Sequence, residues 1–201
     1  MKRFFDMDSP VMRALSAAAD LLVINLLTFL CSLPVFTMGA AFTAMNDVCI
    51  RIVHGEEGYI FKGFFRSFAS NFKKGTLLGL ILLACAGFLY FDYTAAQTYF
   101  PQMRYGILAI GVILFAIANY AFALLARYEN SLGGAIKNAA VLTVGYFPRT
   151  LAMVVFSVAL WLASFLFPQV GGPVLIMFGF SMPCYINALL LKGVFHKLDE
   201  S

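Results

Sequence analysis

Long apolar segments most strongly constrain the fold of this chain. A helix of about 20 apolar residues is long enough to cross the hydrocarbon core of a bilayer. Six such segments recur between short polar connections, at residues 11–33, 36–53, 75–96, 104–125, 148–167 and 172–194. We therefore predict an all-α, polytopic membrane helix bundle with about six transmembrane helices, folded as one integral membrane domain over residues 1–201.

The composition excludes a water-soluble domain. Hydrophobic residues make up 62% of the chain and charged residues 12%, whereas soluble domains are roughly half apolar and a quarter charged. Too few polar side chains remain to cover a surface that faces water. The lipid bilayer is therefore the first expected partner, and no feature of the charge distribution indicates nucleic-acid binding.

The placement of the basic residues predicts an orientation. Cytoplasmic connections of membrane proteins carry an excess of Lys and Arg. With six spans and both chain ends in the cytoplasm, Arg104 alone of the 14 Lys and Arg residues lies outside, which leaves 13 inside. The opposite orientation inverts this ratio, so we predict a multi-pass protein with cytoplasmic N- and C-termini.

A regular stripe of phenylalanines marks the polar connection at residues 51–74. The phenylalanines recur at helical spacing, at Phe61, Phe64, Phe65, Phe68 and Phe72. The other positions include the cations Lys62, Arg66, Lys73 and Lys74. This pattern predicts a cytoplasmic amphipathic helix at the membrane surface. We interpret it either as an anchor packed under the bundle or as a docking helix, with these residues as the partner-binding hypothesis.

A weaker copy of this pattern follows at an offset of 75 residues, since Phe61 corresponds to residue 136. The corresponding positions are Ile136, Lys137, Ala139, Ala140, Phe147 and Arg149. Lys137 and Arg149 join the partner-binding hypothesis, and a second cytoplasmic amphipathic helix is predicted. The match suggests a parallel internal repeat of span, helix and span, with halves at about 36–97 and 104–170. Convergence on a common helix pattern is the alternative.

Several polar side chains fall within the predicted spans, where they are costly and usually have a purpose. They are Asp20, Asn25, Asp47, Arg51, Asn119 and Asn187. We expect Asp20 to pair with Arg13 or Asn119, and a proton or cation site is the alternative. Asp47 and Arg51 have the i, i+4 spacing of a helical ion pair. Asn119 and Asn187 are predicted to form hydrogen bonds between helices.

Signatures of enzymes are missing from the sequence. His54 and His196 are isolated, the four cysteines have no CxxC spacing, and no HExxH, GxSxG, P-loop or dinucleotide motif occurs. We therefore predict no catalytic residue, no metal site and no cofactor, and we expect that the protein is not an enzyme.

Two clusters of residues carry a family resemblance. Residues 20–25 (DLLVIN) and 33–41 (LPVFTMGAA), followed by 64–74 (FFRSFASNFKK), resemble the YesL-like family. These are small bacterial membrane proteins with a domain of unknown function, from carbohydrate-utilisation loci that also encode sugar importers of the ATP-binding-cassette (ABC) type. The resemblance covers essentially the whole chain, and it implies no catalytic residue. It places the protein in the bacterial cell membrane.

The resemblance implies a role in carbohydrate uptake. We expect a non-enzymatic accessory or regulatory subunit of a carbohydrate (oligosaccharide) ABC importer, with permease or ATPase subunits as partners. One alternative is a small stand-alone transporter or channel with a polar path lined by Asp20, Asn25 and Asn119. Another is a membrane-organising factor that binds anionic lipid through its cationic helices.

Overall fold

The computed structural model describes residues 10–56, 58–99, 102–128 and 131–199. Within these ranges the chain forms nine α-helices and a single 3₁₀ turn at Val35–Thr37. The helices are α1 Pro10–Ser32, α2 Met38–His54, α3 Ile60–Ser70, α4 Phe72–Tyr99, α5 Met103–Arg127, α6 Leu132–Gly145, α7 Phe147–Leu166, α8 Pro168–Phe178 and α9 Ser181–Asp199. The predicted all-α architecture is confirmed for this part of the chain.

Four helices are long and apolar enough to cross a membrane, namely α1, α4, α5 and α7. A fifth crossing is obtained if α8 and α9 together form one broken span. Helix α2 has 17 residues, which is short of the length needed for a full crossing. The chain is therefore compatible with a multi-pass membrane protein, but the predicted count of six spans is not confirmed.

Helix α2 lies at the centre of the bundle and packs against α1, α3, α4, α5 and α9. Small residues on several sides of it are fully buried, including Ala40, Ala41, Thr43 and Ala44. Small side chains allow helix backbones to approach closely, which is how helices commonly pack in lipid. The helix that looked least apolar in the sequence is thus enclosed by its neighbours.

Glycines bring α2 and α4 into backbone contact where both helices begin. A Cβ at Gly39 would overlap the Gly75 carbonyl oxygen and would lie 2.7 Å from the Gly79 Cα. Gly79 is seven residues into α4, about 10 Å along its axis. Two antiparallel full-length spans would begin about 30 Å apart. The second predicted span, 36–53, is therefore not confirmed as a full-length crossing antiparallel to α4.

The last predicted span, 172–194, is interrupted rather than one continuous helix. Helix α8 ends at Phe178 and α9 begins at Ser181, with a bend of 58° between the two segments. Pro183 lies in the first turn of α9, where a proline is tolerated. In a continuous helix its missing N–H and its ring would conflict with the Gly179 carbonyl.

The two short helices between the long ones pack at one end of the bundle. Helix α3 contacts α1 and α2, and α6 contacts α5 and α7. Helix α6 begins with a capping interaction, in which the Gly134 N–H donates to Ser131 Oγ at 3.2 Å. Both helices are present where the sequence predicted amphipathic helices.

Candidate functional site

The break between α8 and α9 is held together by one side chain from α1. Asn25 is only 1% exposed. Its Nδ2 donates to the Ile176 carbonyl at 2.7 Å, and its Oδ1 accepts from the Phe180 and Ser181 N–H groups at 2.9 and 3.0 Å. A broken helix leaves backbone groups that lipid cannot satisfy. Asn25 satisfies three of them.

A cavity of about 520 Å³ lies beside this break. Its walls come from α2, α4, α5 and α7 and from the segment 179–184. Aromatic rings form one side, where Phe180 lies 5.7 Å from Trp161 and 5.5 Å from Phe42 between ring centroids. The break thus contributes backbone and side chains to the wall of this cavity.

Polar groups in the cavity wall are already engaged in hydrogen bonds. Asn46 Nδ2 donates to the Phe42 carbonyl at 2.9 Å, and Asn119 Nδ2 donates to Phe115 at 2.8 Å. Ser157 Oγ donates to the Met153 carbonyl at 2.8 Å. No charged side chain from the described residues lines the cavity. The described lining therefore has the chemistry of a mainly apolar binding pocket.

An asparagine pair joins α5 to α9 next to the cavity. Asn187 Nδ2 donates to Asn119 Oδ1 at 2.9 Å, so the predicted hydrogen bonds between helices link these two residues to each other. The sequence also predicted Asn119 as a partner of Asp20. In the structure, the hydrogen bond that Asn119 makes to another helix is the one to Asn187 on α9. Asp20 is half-buried on α1. The Arg13 side chain lies outside the described residues, so its pairing with Asp20 stays a prediction.

Basic side chains tie helix ends together at the end of the bundle where α2, α5 and α9 finish. Arg51 and Asp47 form the ion pair that their spacing predicted, with 2.9 Å between Nη2 and Oδ2. Arg127 Nη1 lies 3.5 Å from His54 Nε2, and Lys192 Nζ donates to the Val53 carbonyl at 3.0 Å. Arg127 and Lys192 thus join neighbouring helices, whereas the pair of Arg51 and Asp47 lies within α2.

The phenylalanine stripe of α3 is divided between the core of the bundle and its surface. Phe64 is fully buried against the core, and Phe68 is partly buried. Phe61 and Phe65 remain 61% and 41% exposed, with their ring centroids 4.8 Å apart. Phe72 is also exposed, as are Lys62, Arg66, Lys73 and Lys74. The helix is anchored by part of its apolar side and displays the rest.

Helix α6 has alanines at the positions that correspond to Phe64 and Phe65 of α3. Ala139, at the position that corresponds to Phe64, is fully buried, while Ile136 and Ala140 are half-buried and Lys137 is exposed. These small residues let α6 pack closely on α5. The internal repeat stays a prediction, although Phe64 and Ala139 are buried alike.

The start of α7 carries the last two residues of the second pattern. Phe147 is exposed. The Arg149 guanidinium lies 5.6 Å from the centre of the Tyr146 ring, and its Nη2 would be 3.1 Å from a Cβ at Gly193. Arg149 is therefore packed against α9, which makes it a poorer candidate for a partner-binding cation than Lys137.

The sequence reasoning missed the cavity and the broken helix. Gly179 and Pro183 were available signals for the break, but the contact of Asn25 with this segment depends on residues about 155 positions apart. The cavity is lined by residues of different helices, such as Met38, Leu82 and Gly111. No single segment of the sequence reveals that these residues face a common space.

Comparisons with known proteins agree with the family resemblance. Residues 21–93 match the family described as "Protein of unknown function, DUF624", a range that includes Asn25, α2, α3 and most of α4. The "Uncharacterized protein YteU" of Bacillus subtilis (strain 168) is 24% identical over 175 residues, which cover 85% of this chain and 77% of that protein. No solved structure matches the chain. The predicted resemblance to membrane proteins with a domain of unknown function is thereby confirmed.

Proposed function

We propose that this protein, whose residues 21–93 match a domain of unknown function, is a non-enzymatic accessory or regulatory subunit of a bacterial carbohydrate ABC importer. In this proposal it resides in the cell membrane with both chain ends in the cytoplasm. The observation that carries the proposal is the exposed part of α3, where aromatic rings and cations lie side by side at one end of an otherwise apolar bundle.

The exposed surface of α3 has the composition of a protein-binding surface. Phe61 and Phe65 form a pair of exposed rings, flanked by the exposed cations Lys62 and Arg66. Aromatic and arginine side chains supply most of the binding energy in protein interfaces. Because Phe64 is fully buried, the bundle holds this surface in place before a partner arrives, which lowers the entropic cost of binding.

The interior of the bundle does not favour a stand-alone sugar transporter. A pathway for sugars needs several polar groups that can replace the hydration of the solute. The cavity offers Asn46, Asn119 and Ser157, and each of them donates to a carbonyl of its own helix. Asn25 is engaged by the helix break. The proposed polar path through Asp20, Asn25 and Asn119 therefore has no support from these contacts.

The resemblance noted in the sequence supplies the class of partner. Members of the YesL-like family come from loci with sugar importers, so the permease or ATPase subunit of such an importer is the expected partner of α3. The positive charge of Lys62 and Arg66 suits an acidic surface on that partner.

Affinity purification from native membranes in a mild detergent tests the proposal. The wild-type chain is compared with a variant that carries Phe61→Asp and Phe65→Asp. The matched control carries Val141→Asp and Val144→Asp on α6, where both valines are also exposed. We expect an importer permease or ATPase to co-purify with the wild type and the control and to be lost from the α3 variant.

Two outcomes contradict the proposal at different points. If no importer subunit co-purifies with the wild-type chain, the accessory role fails. If the α3 variant retains the importer subunit as well as the control does, α3 is not the contact surface, and the docking helix must be sought elsewhere.

A further inference from the structure

We infer that the cavity between α2, α4, α5, α7 and α9 binds a hydrocarbon chain of a bilayer lipid. This site is distinct from the docking surface on α3, and the inference does not depend on the importer role. It rests on the size of the cavity, on the chemistry of its walls and on the residues around its opening.

The cavity is large enough for a ligand. Its volume of about 520 Å³ lies within the range of roughly 300–1,000 Å³ that is typical of small-molecule sites. Small residues that leave open space, among them Gly111 and Ala118, line part of its wall. Protein interiors are otherwise close-packed, and an apolar cavity does not hold ordered water well. A hydrocarbon chain fills such a space without leaving polar groups unpaired.

The opening of the cavity is surrounded by apolar side chains. Val35 and Trp161 are 60% and 46% exposed, and Met38, Leu83 and Phe115 are exposed as well. Together they line the cavity without a charged neighbour in the described wall. An opening with such a rim faces lipid rather than water, because exposed apolar surface of this extent is stable only in the bilayer. Lipid chains are therefore the molecules that have access.

The polar groups of the wall argue against a sugar as the occupant. A sugar ring would need partners for several hydroxyl groups, since each buried hydroxyl without a hydrogen bond is costly. The side-chain donors of Asn46, Asn119 and Ser157 are directed to backbone carbonyls. A hydrocarbon chain requires none of them.

The single tryptophan of the chain provides a direct probe, because Trp161 lines the cavity. The purified protein in detergent is titrated with phosphatidylglycerol that carries brominated acyl chains, and quenching of the Trp161 fluorescence is recorded. We expect a saturable component at about one lipid per protein chain, added to a gradual component from lipids on the outer surface of the bundle.

A matched pair of glycine substitutions separates the cavity from the outer surface. Gly111 lines the cavity, and a Cβ there meets no atom within 4 Å, so Gly111→Phe fills the space without a clash at its Cβ. Gly106 lies on the same helix and Gly87 on α4, both with open surroundings and outside the cavity wall. The controls are therefore Gly106→Phe and Gly87→Phe.

The inference predicts that Gly111→Phe loses the saturable quenching, while both control variants keep it. Native mass spectrometry of the same proteins should show one bound lipid fewer for Gly111→Phe.

Equal saturable quenching in all four proteins, or quenching without any saturable component, overturns the inference in favour of lipids that only surround the bundle. Protection of Trp161 by an added oligosaccharide overturns it in favour of a sugar site. Neither result changes the co-purification of an importer subunit, so the two proposals fail independently.

Discussion

Replacing Asn25 by leucine should destabilise the bundle far more than the same change at a comparable asparagine. Leucine has a similar size, so little space is created, but the Phe180 and Ser181 N–H groups and the Ile176 carbonyl lose their partner. An unsatisfied buried polar group costs about 1–3 kcal/mol. Taking the low end for each of the three groups, we expect a loss of roughly 3 kcal/mol in the free energy of unfolding.

Asn46→Leu is the matched control for this experiment. Asn46 Nδ2 donates to the Phe42 carbonyl, which also accepts the backbone bond of its own helix. Removing the side-chain bond therefore leaves no backbone group unpaired, and we expect a loss of no more than about 1 kcal/mol. Asn25→Asp should fall between the two. Its carboxylate still accepts from the two N–H groups at the start of α9, where the helix dipole favours negative charge, but its second oxygen faces the Ile176 carbonyl to which Asn25 Nδ2 donates.

Titration with SDS in mixed micelles measures the free energy of unfolding for the wild type and the three variants. The signal is Trp161 fluorescence, and the comparison uses the midpoint and slope of each transition. An Asn25→Leu variant no less stable than Asn46→Leu would refute the reasoning, since it would mean that the break is satisfied without α1.

Two further predictions test the packing and the orientation of the helices. Cys184 on α9 and Cys49 on α2 are neighbours in the buried core. In a background without the other two cysteines we therefore expect a thiol-specific oxidant to crosslink α2 to α9, shown by protection of both thiols from alkylation. Cys49→Ser should abolish the crosslink, and alkylation of both thiols after oxidation contradicts the contact. The second prediction concerns orientation and uses a cysteine-free background. Gln102→Cys is expected to react with a membrane-impermeant thiol reagent from outside the cell, and Lys62→Cys only after permeabilisation, because α4 crosses the membrane once between the two positions. Labelling of both cysteines from the same side refutes this arrangement.

Long apolar segments were predictable because each one is recognised from its own residues. Helices α4, α5 and α7 begin and end within about three residues of the predicted spans, since lipid requires a helix wherever about 20 apolar residues follow one another. The ion pair of Asp47 and Arg51 was predictable for a similar reason, because helical spacing alone brings the two side chains together.

Features that depend on contacts between distant segments were not predictable in the same way. Phe64 and Phe65 are adjacent and identical in chemistry, yet one is fully buried and the other is 41% exposed. Only the position of α1 and α2 against α3 distinguishes them. The short length of α2 and its contact with Gly75 and Gly79 likewise depend on how two helices meet. The candidate cavity combines residues from five helices, so no single segment predicts it.

The hydrogen bonds of Asn25 also impose an order on assembly in the membrane. A chain is synthesised from its N-terminus, so α1 is in place long before α8 and α9 leave the ribosome. Until the C-terminal segment reaches Asn25, its Phe180 and Ser181 N–H groups lack the partner that they have in the finished bundle. Helix α1 thus supplies the hydrogen-bonding groups that the break between α8 and α9 needs, and these two helices reach their final arrangement only when they pack against α1.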